Sequence, residues 1–574
     1  MKNLKMKLSQ AVSAILCEMG AEISANDVYS LIEYPPNANG DLALPCFRFA
    51  KQLRKAPPMI AKEVAEKLCV EGIIKVVSVG GYVNSYIDPD YLGGTILPEI
   101  LEKKENYGRS DIGKGKTVVL DYSSPNICKP FHIGHLGTTV IGHSIKKMHE
   151  FCGYDCVGIN YLGDWGTQFG KLIVAYKKWG NKEIVDKNGV DELVDLYVRI
   201  NNEIDGDEEK GIPANTALAD EARAEFKKLE MGDQENLDLR NWFKEISMRE
   251  YQKTYDQLGI TFDSYKGESF YTDKMPAQVE KIREMGLLKI DDGASIVDLS
   301  EYKMPPCLIL KRDGTTLYPT RDIAAAVDRK EEYDFDKCVY VTSNQQSLHF
   351  KQWFKVVELM GYDWHDKLVH VPYGTISVAG VKLSTRHGNV LLLRDVFAQA
   401  IDKVRAVIDE KNPNLENKDA TAEAVGVGAI IFHYLLGGIG KDSSFIMDDA
   451  LSFDGNTGPY AQYTYARTCS VLEKAGKLSS DELILTNGIE GNLVKVLAKY
   501  GETVEKALND YEPSVITRYI LDVCTAFNRF YHECSIMNAE NEVIKATRVA
   551  LVKATNYVLG SALPLICLKT PEKV

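Results

Sequence analysis

Two histidines stand three positions apart in a short string that follows a predicted strand and opens a predicted helix. They are His132 and His135, with Gly134 between them. A helix N-terminus presents unpaired N–H groups and a partial positive charge, which favour a bound anion such as phosphate. Gly134 lets a ligand lie close to the backbone, and both imidazoles can reach the same phosphate. The string predicts a nucleotide-binding site, and the alternative is a buried turn with two incidental histidines.

A second string, residues 382–388, carries cationic side chains among small residues. Lys382, Arg386 and His387 stand in it together with Ser384. Cations in a short loop can stabilise the charge of a leaving pyrophosphate. If the string stood alone, an exposed basic turn would be the simpler interpretation.

The elements that must position these strings are those of a parallel sheet. Residues 117–122 form a buried-strand pattern, and a polar loop and a helical pattern follow them. Further strands are predicted, with helical segments between them, at residues 156–161, 307–310, 338–342 and 368–371. Strands that alternate with helices favour a doubly wound, mostly parallel sheet.

The patterns predict a multidomain α/β chain with three domains. Residues 1–105 combine helical patterns with two short strand candidates and are expected to form an α+β module. Residues 106–440 are expected to form a Rossmann-like domain with a charged helical insertion near residues 185–260. Residues 441–574 are almost wholly helical in pattern, which predicts an all-α domain.

The composition is that of a folded chain, since 45% of its 574 residues are hydrophobic and 26% are charged. A formal net charge of −13 disfavours non-specific adhesion to DNA or to an anionic membrane. The 12 cysteines form no CxxC pair, so we expect them to be reduced in a cytoplasmic protein. The most apolar segment, residues 426–440, is interrupted by His433 and is shorter than the ~20 residues that cross a bilayer, so no membrane span is predicted.

Taken together, the two strings resemble the HIGH and KMSKS signatures of class I aminoacyl-tRNA synthetases. Residues 123–135, Ser-Ser-Pro-Asn-Ile-Cys-Lys-Pro-Phe-His-Ile-Gly-His, are similar almost residue for residue to the version in the arginyl-tRNA synthetase family. Further stretches resemble that family in the same order, at residues 40–41, 81–84, 160–170, 313–322 and 455–463. The resemblance covers almost the entire chain.

The resemblance implies a reaction in two steps. The carboxylate of L-arginine attacks the α-phosphate of ATP, pyrophosphate leaves, and a terminal ribose hydroxyl of tRNA(Arg) then takes the aminoacyl group. Mg²⁺ is expected with ATP, held mainly by phosphates and water, and no dedicated metal site is expected. No protein nucleophile is needed, so catalysis is expected to rest on positioning and charge stabilisation. The residues expected to act in catalysis or to bind ATP are Lys129, His132, Gly134, His135, Lys382, Ser384 and Arg386.

An arginine pocket must distinguish a planar guanidinium from the point charge of lysine, which calls for carboxylates and planar acceptors. The positions that match the family's pocket are Asp121, Asn126, Tyr318, Asp322 and Gln346. Each alone would be an ordinary core polar group, but five suitable types together favour a binding role, with Asp322 the strongest candidate. Two departures stand out: many family members carry Glu at Asp121, and the second lysine of KMSKS is Thr385 here. Asp121 is therefore expected to reach the ligand through water or not at all. Lys382 and Arg386, with Lys129 as a further contributor, are expected to carry the phosphate-stabilising charge in place of the missing lysine.

The resemblance also implies that the C-terminal domain binds the anticodon and that the N-terminal module contacts the outer corner of the tRNA. Unpaired bases stack on aromatic rings and guanidinium planes. The side chains expected to do this are Tyr460, Tyr463, Arg467, Arg529 and Tyr531, with helix-packing core as the alternative for each.

Two other functions stay open from the sequence. One is a non-catalytic relative that binds tRNA for regulation, which the incomplete lysine loop allows. The other is a class I ligase for a different amino acid. ATP–pyrophosphate exchange with and without tRNA separates them. The resemblance implies arginine-dependent exchange that needs tRNA, a regulatory relative would show none, and the third kind of protein would depend on another amino acid. The chain is also expected to be a monomer that binds neither DNA nor membranes.

Overall fold

The fold begins with an α+β unit, seen in a computed structural model that describes residues 1–35, 39–206, 213–312, 317–378, 391–453, 455–476, 480 and 482–574. Its antiparallel sheet has three strands in the order β1-β3-β2, one more than the sequence predicts. The elements are α1 (Lys2–Glu18), α2 (Ala25–Leu31), β1 (Leu42–Pro45), α3 (Ala50–Leu53), α4 (Pro57–Lys67), β2 (Ile73–Val79), β3 (Tyr82–Ile87), α5 (Pro89–Tyr91) and α6 (Leu97–Lys103).

Helix α4 shows how the sequence builds this unit. Pro57 occupies the first turn, where its missing N–H costs no intrahelical hydrogen bond. Ile60 and Val64 recur one turn apart and are both 0% exposed in the core of the unit. The apolar stripe of the helix therefore covers the sheet, as its spacing predicts.

The central region holds a four-stranded parallel sheet in the order β10-β9-β4-β5. The strand β5 lies on one side of β4 and β9 lies on the other, so the direction in which strands are added to the sheet reverses at β4. The carboxyl ends of β4 and β9 therefore form a topological switch point. The elements of the region are β4 (Thr117–Asp121), α7 (Ile133–Phe151), β5 (Asp155–Ile159), α8 (Thr167–Trp179), α9 (Lys182–Asn188), α10 (Val190–Asp205), α11 (Thr216–Glu230), α12 (Gln234–Leu258), α13 (Met275–Glu284), β6 (Leu288–Asp291), β7 (Ala294–Val297), β8 (Cys307–Leu310), α14 (Tyr318–Tyr333), β9 (Lys337–Ser343), α15 (Ser347–Leu359), β10 (Leu368–Tyr373), β11 (Ile376–Val378), α16 (Leu393–Lys411) and α17 (Lys418–Leu436).

The assignment of residues 307–310 to the parallel sheet is wrong. These residues form β8, which pairs with β7 in a separate antiparallel sheet of order β6-β7-β8. Their burial alternates, since Cys307 is 1% exposed and Leu308 is 39% exposed. Alternation of this kind marks a strand with one solvated face, which the run of apolar residue types hides.

The central strand β4 is buried on both faces, and helix α7 packs closely against the strand's end. Val118, Val119 and Leu120 are 0% exposed, which explains their continuous apolar run. On α7, a Cβ built on Gly142 would lie 2.2 Å from the Cβ of Tyr122. The helix can approach the strand this closely only because residue 142 has no side chain.

Replacing this glycine should therefore destabilise the protein. Gly142→Ala is expected to lower the free energy of unfolding by about 1–3 kcal/mol through overpacking, even though Ala is the better helix former. The melting temperature measures the effect. Gly488→Ala in the C-terminal domain is the matched control, because nothing lies within 4 Å of a Cβ built there. Equal melting temperatures for the two variants would contradict the close packing of α7 on β4.

Over its described residues, the C-terminal region is a helical bundle with one short strand, β12, which pairs with β11 of the central region. Buried contacts tie its helices together, such as the 2.8 Å ion pair between Arg548 and Glu490. The hydroxyls of Tyr29 and Tyr34 donate to Glu502 at 2.8 Å, so the N-terminal unit is anchored on the bundle. The elements are β12 (Ser443–Phe445), α18 (Met447–Ala450), α19 (Gly458–Ala475), α20 (Gly488–Ala498), α21 (Tyr500–Asp510), α22 (Ser514–Glu533) and α23 (Glu542–Leu565).

Helix α17 is the apolar helix at the end of the central region. Over the described residues it is the one helix whose 19-residue length and mean hydropathy of 1.2 would suffice to cross a membrane. Of the 18-residue stretch of this helix that has this mean hydropathy, 67% is buried within the protein. Its neighbours there include α16 and α19. This burial is the arrangement expected of a core helix.

Candidate active site

The loop that leaves β4 holds an unusual backbone. Ser123, Ser124 and Cys128 have φ values of 70°, 47° and 63°, in the left-handed region that L-residues rarely adopt. The Oγ of Ser123 lies 2.8 Å from the hydroxyl of Tyr255 on α12, and the N–H of Ser124 donates to Asn160 at 3.1 Å. These contacts hold the loop in its strained form at the switch point, and such strain is concentrated at functional sites.

Both imidazoles of the first string cap helix α7. Nδ1 of His132 accepts the backbone N–H of Gly134 at 3.0 Å, and Nδ1 of His135 accepts the backbone N–H of His132 at 3.1 Å. A neutral imidazole that accepts through Nδ1 carries its proton on Nε2. Each ring therefore keeps an Nε2–H as a donor for a ligand. The ring centroids are 3.8 Å apart, so both donors can serve one phosphate group.

Burial keeps the two imidazoles neutral. It lowers the pKa of His132 to about 4, and the charge of Lys129 acts in the same direction. Burial also holds the pKa of His135 well below its ordinary value, with smaller contributions from His132 and Lys129. At neutral pH both rings are therefore hydrogen-bond donors without charge, and positive charge at this site must come from other groups.

A cavity of about 550 Å³ opens beside these rings at the carboxyl ends of β4 and β9. His135 forms part of its wall. So do all five side chains that the sequence predicts to bind arginine, namely Asp121, Asn126, Tyr318, Asp322 and Gln346. The structure brings these residues together from a strand end, a loop and the starts of two helices, and their binding roles stay predictions.

The other predicted catalytic and ATP-binding residues have different locations. His132 and Gly134 stand at the N-terminus of α7. Lys129 lies in the same loop and lines a smaller neighbouring cavity with Gln168. Lys382, Ser384 and Arg386 lie outside the described residues.

Asp121 is not an open carboxylate. Its Oδ2 lies 2.8 Å from Nη2 of Arg329, and its Oδ1 accepts the hydroxyl of Ser124 at 2.8 Å. The side chain of Arg329 is only 1% exposed, and its guanidinium lies 5.2 Å from the ring centroid of Tyr161. Burial raises the pKa of Asp121, against the opposing effect of Arg329. Both oxygens are thus engaged by the protein itself.

Two charged groups at this cavity were missed by the sequence analysis. Glu268 lines the cavity, and its Oε2 lies 2.9 Å from Nη1 of Arg321. Nothing in the local sequence marks Glu268, since it follows no strand and belongs to no recognised string. Burial raises the pKa of Glu268 to about 7, although the charge of Arg321 opposes this.

Arg329 is the second of these groups. It carries a weak sequence signal, because it stands seven residues after Asp322 and so shares a face of α14 with it.

The titration of Glu268 predicts a pH dependence for binding a cation in the cavity. Below its pKa the carboxyl is neutral, and above it the cavity gains one negative charge. The affinity of the cavity for a guanidinium ligand, measured by calorimetric titration at each pH, should therefore rise with the pH, by about tenfold between about pH 6 and about pH 8 for one charge at short range. Glu268→Gln should remove most of this dependence. An unchanged profile in that variant would assign the pH dependence to another group.

In the C-terminal bundle, four of the five side chains predicted to bind tRNA form one cluster. The guanidinium of Arg467 lies 4.8 Å from the ring centroid of Tyr463 and 5.1 Å from that of Tyr531. Asn528 accepts from Arg467 and donates to the hydroxyl of Tyr460, both at 2.8 Å. Arg529 points elsewhere, to Glu533 at 2.9 Å. Tyr463 and Tyr531 are 41% and 37% exposed as whole residues, so they can offer stacking surfaces.

Three family models match the chain. The model described as tRNA synthetases class I (R), catalytic domain, matches residues 96–438. The model of the arginyl tRNA synthetase N terminal domain matches residues 2–87, and that of the DALR anticodon binding domain matches residues 461–574. The parallel sheet with its switch-point cavity is therefore the catalytic domain of a class I tRNA synthetase. The matches follow the order of the three predicted domains, whose boundaries stay a prediction.

Similar proteins identify the family. The chain is 49% identical over 569 residues to an arginine–tRNA ligase of Clostridioides difficile (strain 630), covering 98% of this chain and 99% of the relative. It is 46% identical over 570 residues to an arginine–tRNA ligase of Alkaliphilus metalliredigens (strain QYMF), with coverage of 98% and 99%. The chain belongs to the arginyl-tRNA synthetase family, and its fold class is as predicted.

Solved structures show the same fold. Arginyl-tRNA synthetase from Thermus thermophilus matches with a TM-score of 0.83 at 24% identity, covering 100% of both chains. Arginyl-tRNA synthetase from Plasmodium falciparum matches with a TM-score of 0.82 at 25% identity, covering 100% of this chain and 99% of the other. The order and packing of the three regions are thus those of known arginyl-tRNA synthetases.

Proposed function

We propose that this chain is an arginine–tRNA ligase. It activates L-arginine with ATP, releases pyrophosphate, and transfers the arginyl group to the terminal ribose of tRNA(Arg). The observation that carries the proposal is one cavity that joins His135, at the N-terminus of α7, to the carboxylate of Asp322. A helix N-terminus suits a phosphate, and carboxylates suit a guanidinium, so one cavity can hold both reactants.

The phosphate end of the reaction is assigned to the first string and to the basic loop. The Nε2–H groups of His132 and His135 donate to oxygens of the triphosphate, and Gly134 leaves room for it at the helix N-terminus. Because both imidazoles are neutral, the charge that stabilises the leaving pyrophosphate comes from cations. We assign this role to Lys129, Lys382 and Arg386, with Ser384 as a further ATP contact. Mg²⁺ accompanies ATP and is held mainly by its phosphates and by water.

The amino-acid end of the reaction is assigned to the acidic side of the cavity. Asp322 on α14 accepts the guanidinium. Tyr318 stands at the start of the same helix, Gln346 directly precedes α15, and Asn126 follows β4. Asp121 acts through its own partners rather than as an open ligand. This arrangement favours a forked, planar cation over lysine, whose ammonium is a point charge.

The cluster of Tyr460, Tyr463, Arg467 and Tyr531 is assigned to the tRNA. Arg467→Lys keeps the charge but removes the planar guanidinium from between two rings. Since stacking contributes about 1–3 kcal/mol per base, the KM for tRNA is expected to rise about tenfold, with the KM for arginine unchanged. Arg223→Lys, on an exposed arginine of helix α11, is the control. Equal KM values for tRNA in the two variants would indicate that the cluster only packs the helices together.

The test of the proposed function is ATP–pyrophosphate exchange with the full chain, with and without a tRNA(Arg) transcript. Arginine-dependent exchange and charging of the transcript with arginine are expected. Exchange driven by another amino acid would indicate a ligase of different specificity, and tRNA binding without exchange would indicate a regulatory relative. We also predict that the chain is a monomer, which gel filtration would check. Its location in the cytoplasm is a further prediction, which cell fractionation would check.

A further inference from the structure

Asp322 and His349 face each other from two neighbouring helices, α14 and α15, in the wall of the cavity. Nε2 of His349 lies 2.6 Å from Oδ2 of Asp322, a short hydrogen bond in which the imidazole donates. The two side chains remain 28% and 21% exposed, so a ligand in the cavity meets both.

The imidazole of His349 is itself held in place by aromatic packing. Its ring stands edge-on to Phe350 at 5.5 Å and 82°. Phe350 in turn lies parallel to His370, with centroids 4.3 Å apart and an interplanar angle of 6°. His370 contacts Thr342 at the end of β9 through Nε2 at 2.9 Å. The hydrogen bond to Asp322 is therefore anchored in the parallel sheet.

The other two carboxylates among the described cavity residues are already paired with permanent charges. Asp121 lies 2.8 Å from Arg329, and Glu268 lies 2.9 Å from Arg321. A guanidinium in a protein is always charged, whereas an imidazole can donate the same hydrogen bond as a neutral group. Of these three carboxylates, Asp322 is the one whose charge is not cancelled by an arginine.

Building on the proposed arginine specificity, we propose that His349 is a specificity-determining positioning residue that fixes the plane of Asp322 for the substrate guanidinium. The terminal torsion of an Asp side chain is soft, so its carboxylate plane is poorly defined without a partner. The bond from His349 occupies one lone pair of Oδ2 and sets that plane, which leaves Oδ1 and the second lone pair of Oδ2 for the N–H groups of the guanidinium. A planar, forked cation depends on this orientation, and the point charge of an ammonium depends on it much less.

The test compares His349→Leu with His349→Gln in tRNA-dependent ATP–pyrophosphate exchange. Leu removes the donor, and Gln replaces it with an amide N–H. Loss of a charge-assisted hydrogen bond should raise the KM for arginine about 10- to 100-fold in the Leu variant, with the KM for ATP changed less than about threefold. The Ki of lysine as a competitive inhibitor should change less than about threefold, since a point charge needs no fixed plane. The Gln variant should recover most of the loss.

His365→Leu is the matched control, since His365 faces the carboxylate of Glu358 at 4.0 Å and does not line the cavity. It should behave as the unmodified enzyme. If His349→Leu does not fold, His349→Asn is the alternative: its shorter amide takes the place of Nδ1 rather than Nε2, so it leaves Asp322 without this bond and should show the same arginine-selective loss. Equal losses for arginine, lysine and ATP, or no recovery in the Gln variant, would overturn the proposal. Failure of the proposed function looks different, because the unmodified chain would then show no arginine-dependent exchange.

Discussion

Asp322→Asn is expected to raise the KM for arginine by about 100- to 4000-fold. The substitution keeps the shape of the side chain and removes its charge. Taking one partner from a desolvated ion pair costs about 3–5 kcal/mol, and about 1.4 kcal/mol corresponds to a factor of ten. The effect should be this large because Asp121 and Glu268 are engaged by Arg329 and Arg321. Neither of them can take over as an open acceptor.

The measurement is the KM for arginine and for ATP in the exchange reaction, with tRNA present. The KM for ATP should stay within about threefold, because ATP is assigned to the N-terminus of α7. Asp334→Asn is the control, since Asp334 follows the same helix, is 91% exposed and pairs with Lys330 at 2.5 Å. Equal increases in the two KM values would remove Asp322 from the arginine pocket.

The parts of the fold that the sequence predicts are those with local signals. The apolar run of β4, the loop after it and the start of α7 all follow from residues within one short stretch, and the structure has each of them. The helical C-terminal region follows from periodicity in the same way. The strand at residues 307–310 was placed in the wrong sheet because four apolar residues look alike in a parallel and an antiparallel strand.

The residues of the candidate site are likewise predicted only where the local sequence carries a signal. Three of the five predicted pocket residues, Asn126, Tyr318 and Asp322, stand in strings that carry the family resemblance, and the structure places all five around one cavity. Glu268, Arg329 and His349 do not stand in such strings. Arg329 meets Asp121 from 208 positions away in the chain, so only the packing of α14 over the sheet brings them together. His349 carries a local signal, because it stands three residues after Gln346, at the start of α15. Its contact with Asp322 depends on how α14 and α15 cross.

His132→Asn is expected to lower kcat for arginine activation by about 100- to 1000-fold, the loss typical of removing one donor to developing charge. His132 does two things through different atoms. Its Nδ1 caps α7 by accepting the N–H of Gly134, and its Nε2–H is left for the triphosphate. Asn is among the best N-cap residues, so its Oδ1 can replace Nδ1 while nothing replaces Nε2–H. The melting temperature should therefore hardly change.

The comparison with His132→Leu separates the two roles. Leu removes both the cap and the donor, so it should lose the same activity and also about 1 kcal/mol of stability. Single-turnover formation of arginyl-adenylate, followed with saturating ATP, isolates the chemical step from substrate binding. If His132→Asn retained its kcat while His132→Leu lost activity and stability together, the imidazole would serve only to begin the helix, and the phosphate contact would have to come from His135 and the neighbouring cations.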